Sequence, residues 1–296
     1  MLKVTFPVSG VKTWLFLPFG VALALAYFGA MAGVTGAFLL LPFQISVLGY
    51  TAAGVSATNF VYNIFAIPGT VTRYCLDGRL NWPLASVISV GSLPGIACGY
   101  WLRVNYLTDP RYFKPFAGLV LLYLAWLVGK GLFAERRKKE NGIPDRQARI
   151  KTIGIGISRM EYSFAGCEYS FDPRIVAFVS LLVGIVGGAY GIGGGAVLAP
   201  FCISVLRLPV HSVAGASLFG TLVCSLAGVT VYSLGAVNGV DSAPDFLLGG
   251  VFGIGGMIGG YLGAKTQKHV PQRPIKVGLF VILILVAGKY LAALWG

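Results

Sequence analysis

Hydrophobic residues in this chain fall in long runs. They show neither the alternation of a half-buried strand nor the stripe of a surface helix. The runs lie near residues 14–32, 36–48, 52–74, 82–102 and 113–133. After a polar stretch near 134–172 they resume at 174–190, 194–206, 210–234, 244–264 and 274–295. Most approach the roughly 20 helical residues that cross about 30 Å of hydrocarbon. The runs at 36–48 and 194–206 are too short to span. Each follows a glycine-rich interruption, Gly33-Val34-Thr35-Gly36 or Gly191-Ile192-Gly193-Gly194-Gly195. The pattern predicts an all-α polytopic membrane protein in three parts. These are an N-terminal transmembrane repeat at 14–133, a cytoplasmic linker at 134–173 and a C-terminal transmembrane repeat at 174–296.

The two sets of runs are related. At an offset of 158, Pro42-Phe43-Gln44-Ile45-Ser46-Val47-Leu48 reads against Pro200-Phe201-Cys202-Ile203-Ser204-Val205-Leu206, differing only at Gln44. Gly33/Gly191, Gly36/Gly194, Thr72/Thr230 and Tyr74/Tyr232 share that register. Further on, Gly95, Gly99 and Tyr100 match Gly256, Gly260 and Tyr261 at an offset of 161. Duplicated halves of about five helical segments are the architecture of many secondary transporters.

Composition sharpens the class. Only 11% of the residues are charged, against about 25% in an ordinary soluble domain, too few to cover a water-soluble surface. The net charge of +13 would suit nucleic acid, but the Lys and Arg residues sit between apolar runs, as topology signals do. Arg136, Arg137, Lys138, Lys139, Arg146, Arg149, Lys151 and Arg159 place the central loop in the cytoplasm, and Lys265, Lys268, Arg273 and Lys276 place their loop there too. The number of crossings between those loops is then even. Segment 174–206 therefore enters and leaves on one side as a broken helix pair, and by symmetry so does 14–48. Each half then crosses an odd number of times, which makes the repeats inverted and puts both termini outside. In this topology Arg103, Arg111 and Lys114 also fall outside. The N-terminal run, flanked by Lys3 and Lys12 and ending Ala30-Met31-Ala32, mimics a signal peptide. Its recurrence at the head of the second half keeps it in the mature protein.

Candidate chemistry follows from the interruptions. A helix broken within a membrane exposes N–H groups at one new end and carbonyls at the other, so the break must face protein or a wet cavity. The N–H end suits an anion. Thr35, Gly36, Gly193, Gly194 and Gly195 are thus candidate ligands, with tight helix packing as the alternative. In the next helix Thr58, Asn59 and Asn63, with the repeat partners Ser217 and Thr221, place polar groups at one-turn spacing on one face. They either wall a site or bond between helices. Gln44 marks broken symmetry. Arg73, Arg207 and His211 are interfacial anchors or guides at a cavity mouth. All ten Asp and Glu lie in loops or at segment ends, so no mid-membrane carboxylate offers a proton relay. The five Cys form no CxxC pair, and with two His no metal cage is expected. Neither an enzyme nor a cofactor is indicated. The glycines from Gly249 to Gly263 suit a helix neighbour or a second protomer in a homodimer.

The Gly191-Ile192-Gly193-Gly194-Gly195 run, Pro200, and Ala214-Gly215-Ala216-Ser217-Leu218 after a short turn resemble the TauE/SafE family. These are membrane proteins tied to movement of sulfite, organosulfonates and related sulfur-containing anions. The resemblance implies a secondary transporter of the cell membrane whose partner is a small sulfonyl-type anion, and a negative cell interior would expel such an anion, which predicts an exporter. An anion channel, or a carrier of another small anion or a cation, would share the same cavity.

Overall fold

The computed structural model describes residues 3–32, 35–134, 149–237, 241–266 and 272–292. The first-half interruption at Gly33-Val34 and most of the basic central loop lie outside these residues. Helices α1 (Phe16–Ala32), α2 (Ala37–Ser46), α3 (Gly54–Ala66), α4 (Pro68–Leu76), α5 (Trp82–Asn105) and α6 (Pro110–Ala134) form the first half. Helices α7 (Pro173–Tyr190), α8 (Gly194–Ser204), α9 (Val210–Val237), α10 (Phe246–Thr266) and α11 (Gln272–Ala292) form the second. Six of these, α5, α6, α7, α9, α10 and α11, are long and apolar enough to cross a membrane. Their outward faces carry Phe178, Leu182, Met257 and Leu285 in the open. Trp82 and Trp101 lie exposed near opposite ends of α5, as in an interfacial aromatic belt. The protein is a multi-pass membrane protein.

The run at 52–74 is not one helix. Pro68 starts α4, and its missing N–H and fixed φ end α3 at Ala66. The repeat-related position holds Leu226, and α9 continues through it unbroken.

The linker is also more than a loop. Strands β3 (Lys151–Ile155), β4 (Met160–Phe164) and β5 (Cys167–Phe171) form an antiparallel sheet in the order β3-β4-β5. Ala165 and Gly166 both have positive φ, 54° and 78°, the geometry of a tight hairpin turn whose twist matches its strands. Tyr162, Phe164 and Phe171 are buried against Leu84, Leu208 and Val213. The Tyr162 hydroxyl lies 2.8 Å from Ser212 Oγ at the start of α9, and Ile150 N donates to the Gly78 carbonyl between α4 and α5. The sheet thus marks one end of the helical body. At the other end, β1 (Lys3–Thr5) and β2 (Lys12–Trp14) form a hairpin. Ser9 between them donates from N (3.0 Å) and Oγ (2.7 Å) to Asp245 Oδ2. The all-α expectation is therefore corrected at both ends by short sheets that cap a helical body.

Helix packing repeats when the halves are exchanged: α5 lies along α7 as α10 lies along α1, while α6 packs on α11. Glycines permit these approaches. A Cβ at Gly91, Gly95 or Gly99 would fall within 3 Å of α7 backbone around Ala177, Leu181 and Ile185. Gly255, Gly259 and Gly263 meet α1 backbone at Phe19, Leu23 and Tyr27 in the same way. These partners are related by the offset of 158. Packing therefore aligns Gly95 with Gly259, an offset of 164, and not with Gly256. Because α10 carries glycine at 255, 256, 259, 260 and 263, identity alone cannot tell the neighbouring registers apart.

Candidate functional site

Helix α7 starts beside the sheet, and α8 returns toward it. Gly193 abuts Thr221 and Gly195 abuts Ser217, so α8 runs antiparallel to the first half of α9, which begins at the sheet. The reversal is made by Gly191 and Gly193, with φ of 87° and 82°, a region costly for any residue with a Cβ. A Cβ at Gly191 would also lie 2.4 Å from the Ser56 carbonyl.

The carbonyls released at the end of α7 are taken by side chains. Tyr232 donates to Gly188 O at 2.9 Å, Ser56 to Ala189 O at 2.8 Å, Asn59 to Gly191 O at 2.9 Å and Asn63 to Ile192 O at 3.0 Å. Asn59 also reaches Ala37 O at 3.2 Å in α2. The amide ends differ. Gly36 and Gly193 cap α2 and α8 without any side-chain hydrogen bond, so the first-turn N–H groups receive no side-chain acceptor at their caps.

A cavity of about 510 Å³ opens on the sheet side, a size usual for small-molecule sites. Its mouth is lined by exposed His211, Val210 and Ala264 and half-buried Tyr74. Its depth reaches Thr35, Gly36, Asn63 and Ser217, contributed by both halves. Thr35 Oγ1, Asn63 Oδ1 and Ser217 Oγ are buried without a hydrogen-bond partner, as are Asn59 Oδ1 and Ser92 Oγ nearby. Buried polar groups are normally paired, so this concentration at the head of one cavity is informative.

The candidate residues separate. Thr35, Gly36, Asn63, Ser217 and His211 line the cavity. Asn59 braces the break, Gly193 to Gly195 form it, and Thr221 bonds back to Ser217 O at 2.9 Å. Thr58 faces the other end, where its Oγ1 accepts from Asp245 N at 2.9 Å at the start of α10. Gln44 is fully buried in α2, with both amide atoms unpartnered. Arg73 is exposed and pairs with Asp77 at 3.1 Å, and Arg207 is exposed in the α8–α9 turn with φ 54°.

Two residues escaped the sequence reading. Ser92 of α5 sits where a Cβ on Gly194 would meet its Oγ at 2.7 Å, beside the start of α8. The small-residue stretch Gly91-Ser92 was its only signal. Arg103, which the charge topology puts on the outer side of the membrane, is fully buried within the helical body. Its guanidinium donates to the carbonyls of Thr51, Ala52 and Leu107 and lies 3.8 Å over the Phe113 ring.

Tyr232, Phe60, Ile96, Ala57 and Cys224 pack into a buried cluster, with Tyr100 edge-on to Tyr232 at 4.8 Å. Among the described residues a cavity opens toward the sheet, and this packed cluster lies on the hairpin side.

A family model described as "Sulfite exporter TauE/SafE" matches residues 18–290. The chain belongs to the TauE/SafE family. This TauE/SafE protein is also similar to the "Probable membrane transporter protein YjnA" of Bacillus subtilis (strain 168), at 24% identity over 273 residues, covering 88% of this chain and 94% of the relative. No solved structure matches it. The family match and this relative make it a membrane transporter by kinship. The 273 aligned residues leave room for both halves and the linker, so the kinship extends to the whole helical body.

Proposed function

We propose that this TauE/SafE protein exports a small sulfur-containing anion, sulfite or an organosulfonate, across the cell membrane. It does so by alternating access, with the anion held where the two broken helix pairs meet. The sheet side is cytoplasmic, because the basic central loop joins it. The α7–α8 pair leaves and rejoins that side, and the repeat-related α1–α2 pair does so from the opposite side, which is the relation of inverted repeats.

One observation carries the choice of anion. The backbone carbonyls at the break are occupied, by Tyr232, Ser56, Asn59 and Asn63, while the hydroxyls of Thr35 and Ser217 at the head of the cavity have no hydrogen-bond partner. A cation carrier would need those carbonyls free. An oxyanion needs N–H and hydroxyl donors, which the start of α2 at Gly36, Thr35 and Ser217 supply at the cavity. The hydroxyls rotate to donate, and the sulfonyl oxygens accept.

The test is thermal stability of the purified protein with sulfite, sulfate, thiosulfate, sulfoacetate, taurine or a carboxylate. A ligand confined to the folded state stabilises it by about 2.7 kcal/mol at a hundred times its Kd. Stabilisation by sulfite or a sulfonate, lost in Ser217→Ala, is the expected result. Stabilisation by a cation alone would replace this reading with that of a cation carrier.

A further inference from the structure

The closed side of the body has a residue-by-residue counterpart on the open side. Tyr232, Phe60 and Cys224 form the heart of the buried cluster. At the offset of 158 they correspond to Tyr74, Leu218 and Ala66, and all three line the cavity. On α5 the cluster uses Ile96 and Tyr100. At the packing offset of 164 these correspond to Gly260 and Ala264, which line the cavity as well. The Gly188 carbonyl, acceptor of the Tyr232 hydroxyl at 2.9 Å, corresponds to that of Ala30, again at the cavity wall. These members of the outer closure therefore have counterparts around the inner cavity, while Ala57 corresponds to Gly215, which already lies against the Tyr74 ring.

The geometry points to Tyr74 as the inner gate. When the cavity closes, the Tyr74 ring lies on the Gly260–Ala264 face of α10 and its hydroxyl donates to the Ala30 carbonyl. This reproduces inside what Tyr232 does against Ile96, Tyr100 and Gly188 outside. The assignment rests on the alternating-access reading above. It follows from a general property of inverted repeats: exchanging the conformations of the two halves converts one open face into the other. The chemistry of the exchanged pair is kept, since tyrosine stands at both 74 and 232. The seat differs in size. Gly260 and Ala264 are smaller than Ile96 and Tyr100, so α4 approaches α10 more closely inside than α9 approaches α5 outside. A ring laid on so small a face makes up the lost bulk. The Pro68 discontinuity between α3 and α4 gives Tyr74 an element that moves separately from α3, which holds the break through Asn59 and Asn63.

The experiment uses the full chain in proteoliposomes, with Cys75, Cys98, Cys167 and Cys202 replaced by Ser and Cys224 retained. Cys224 is buried in the outer cluster and reports opening there. Ala30→Cys and Tyr74→Cys are introduced together and oxidised to a disulfide, each thiol losing a proton and an electron to added copper–phenanthroline. Labelling of Cys224 by a membrane-impermeant maleimide from the hairpin side is then read. The expected result is that the cross-link forms, Cys224 labelling rises roughly tenfold or more, as when a minor state becomes the only one, and reduction reverses both. Failure to cross-link, or a cross-link that leaves Cys224 unlabelled, overturns the assignment. Sulfite efflux is followed in the same vesicles without the pair. Efflux absent while Cys224 labelling still switches would leave the gate standing and remove sulfite as the cargo.

Discussion

Asn59 and Ser217 occupy repeat-related positions and do different work. The Asn59 amide bonds two backbone carbonyls from different halves, at 3.2 and 2.9 Å, whereas Ser217 Oγ is buried and unpartnered. Asn59→Ala leaves those carbonyls without their donor, at about 1–3 kcal/mol for each buried group left unpaired. A melting temperature well below that of the parent protein in detergent is the expected outcome. Ser217→Ala removes a hydroxyl that stabilises nothing in the unliganded protein, so its melting temperature should stay at the parent value while anion stabilisation is lost. A Ser217→Ala protein that melts early would show the hydroxyl to be structural. The sequence brought both residues to attention, through their spacing and polarity inside apolar runs. It did not distinguish brace from site, because the partners of Asn59 lie up to 132 residues away. Arg103 was illegible for a related reason. Near a helix end it looked like a loop charge, and only the fold folds the Thr51–Ala52 and Leu107 carbonyls around it. Arg103→Lys keeps the charge but not the planar fork that serves several acceptors at once. Hydrogen bonds to charged groups are worth about 1.5–3 kcal/mol, so this variant should also melt earlier than the parent.

Elements add constraints that single residues do not show. The start of α8 fits against α9 only because Gly195 has no side chain: a Cβ there would stand 2.0 Å from the Ser217 carbonyl. Gly195→Ala must push the two helices apart, at about 1–3 kcal/mol for overpacking, and should lower melting temperature and transport together. Gly250 in α10 has open space around its Cβ position. Gly250→Ala should be neutral or raise stability by about 0.5–1 kcal/mol, the helix cost of glycine, and serves as the control. The linker sheet is a second element with its own signature. Burial pushes the Tyr162 hydroxyl up to about 12, against the hydrogen bond from Ser212 that lowers it. The unfolded tyrosine ionises near 10, so between about pH 10 and 12 the unfolded state has lost a proton the folded state keeps. Stability contributed by this docking is therefore full below pH 10 and falls as pH rises to 12. Ultraviolet titration of tyrosinate in single-tyrosine variants would show Tyr162 ionising late, and an ordinary titration would rule out the buried docking. The hairpin was legible in principle, since Glu161-Tyr162-Ser163-Phe164 and Glu168-Tyr169-Ser170-Phe171 flank Ala165-Gly166-Cys167 with strand alternation. It passed for a loop because the long apolar runs on either side set the scale of the reading.

At the scale of the whole molecule, charge and shape bear on the driving force. The apolar runs foretold the membrane body; the offset of 158 recurs between the α7 and α1 backbone positions that the packed glycines meet, and the glycine-dense α10 hid its packing register, which only its contact with α1 reveals. The cavity opens toward the side of the linker sheet, and the acidic residues among those described sit in loops, in that sheet or at helix ends. Asp245, the acidic residue most deeply placed among those described, is engaged by Ser9 and by its own helix start. Among the described residues no mid-membrane carboxylate is available to couple an anion to protons, so under the proposed export the membrane potential is the expected source of work. Each elementary charge moved through 100 mV is worth about 2.3 kcal/mol, roughly a fiftyfold gradient. With the interior negative, that work expels an anion. Proteoliposomes loaded with sulfite, with protein oriented by selective cleavage of the sheet-side linker, would be given an inside-negative potassium diffusion potential by valinomycin. Efflux should accelerate, approach a gradient of about fiftyfold per charge per 100 mV, and slow when the potential is reversed. Efflux at one rate under both polarities would mean that charge is balanced within the transport cycle, and would replace potential-driven export with electroneutral exchange.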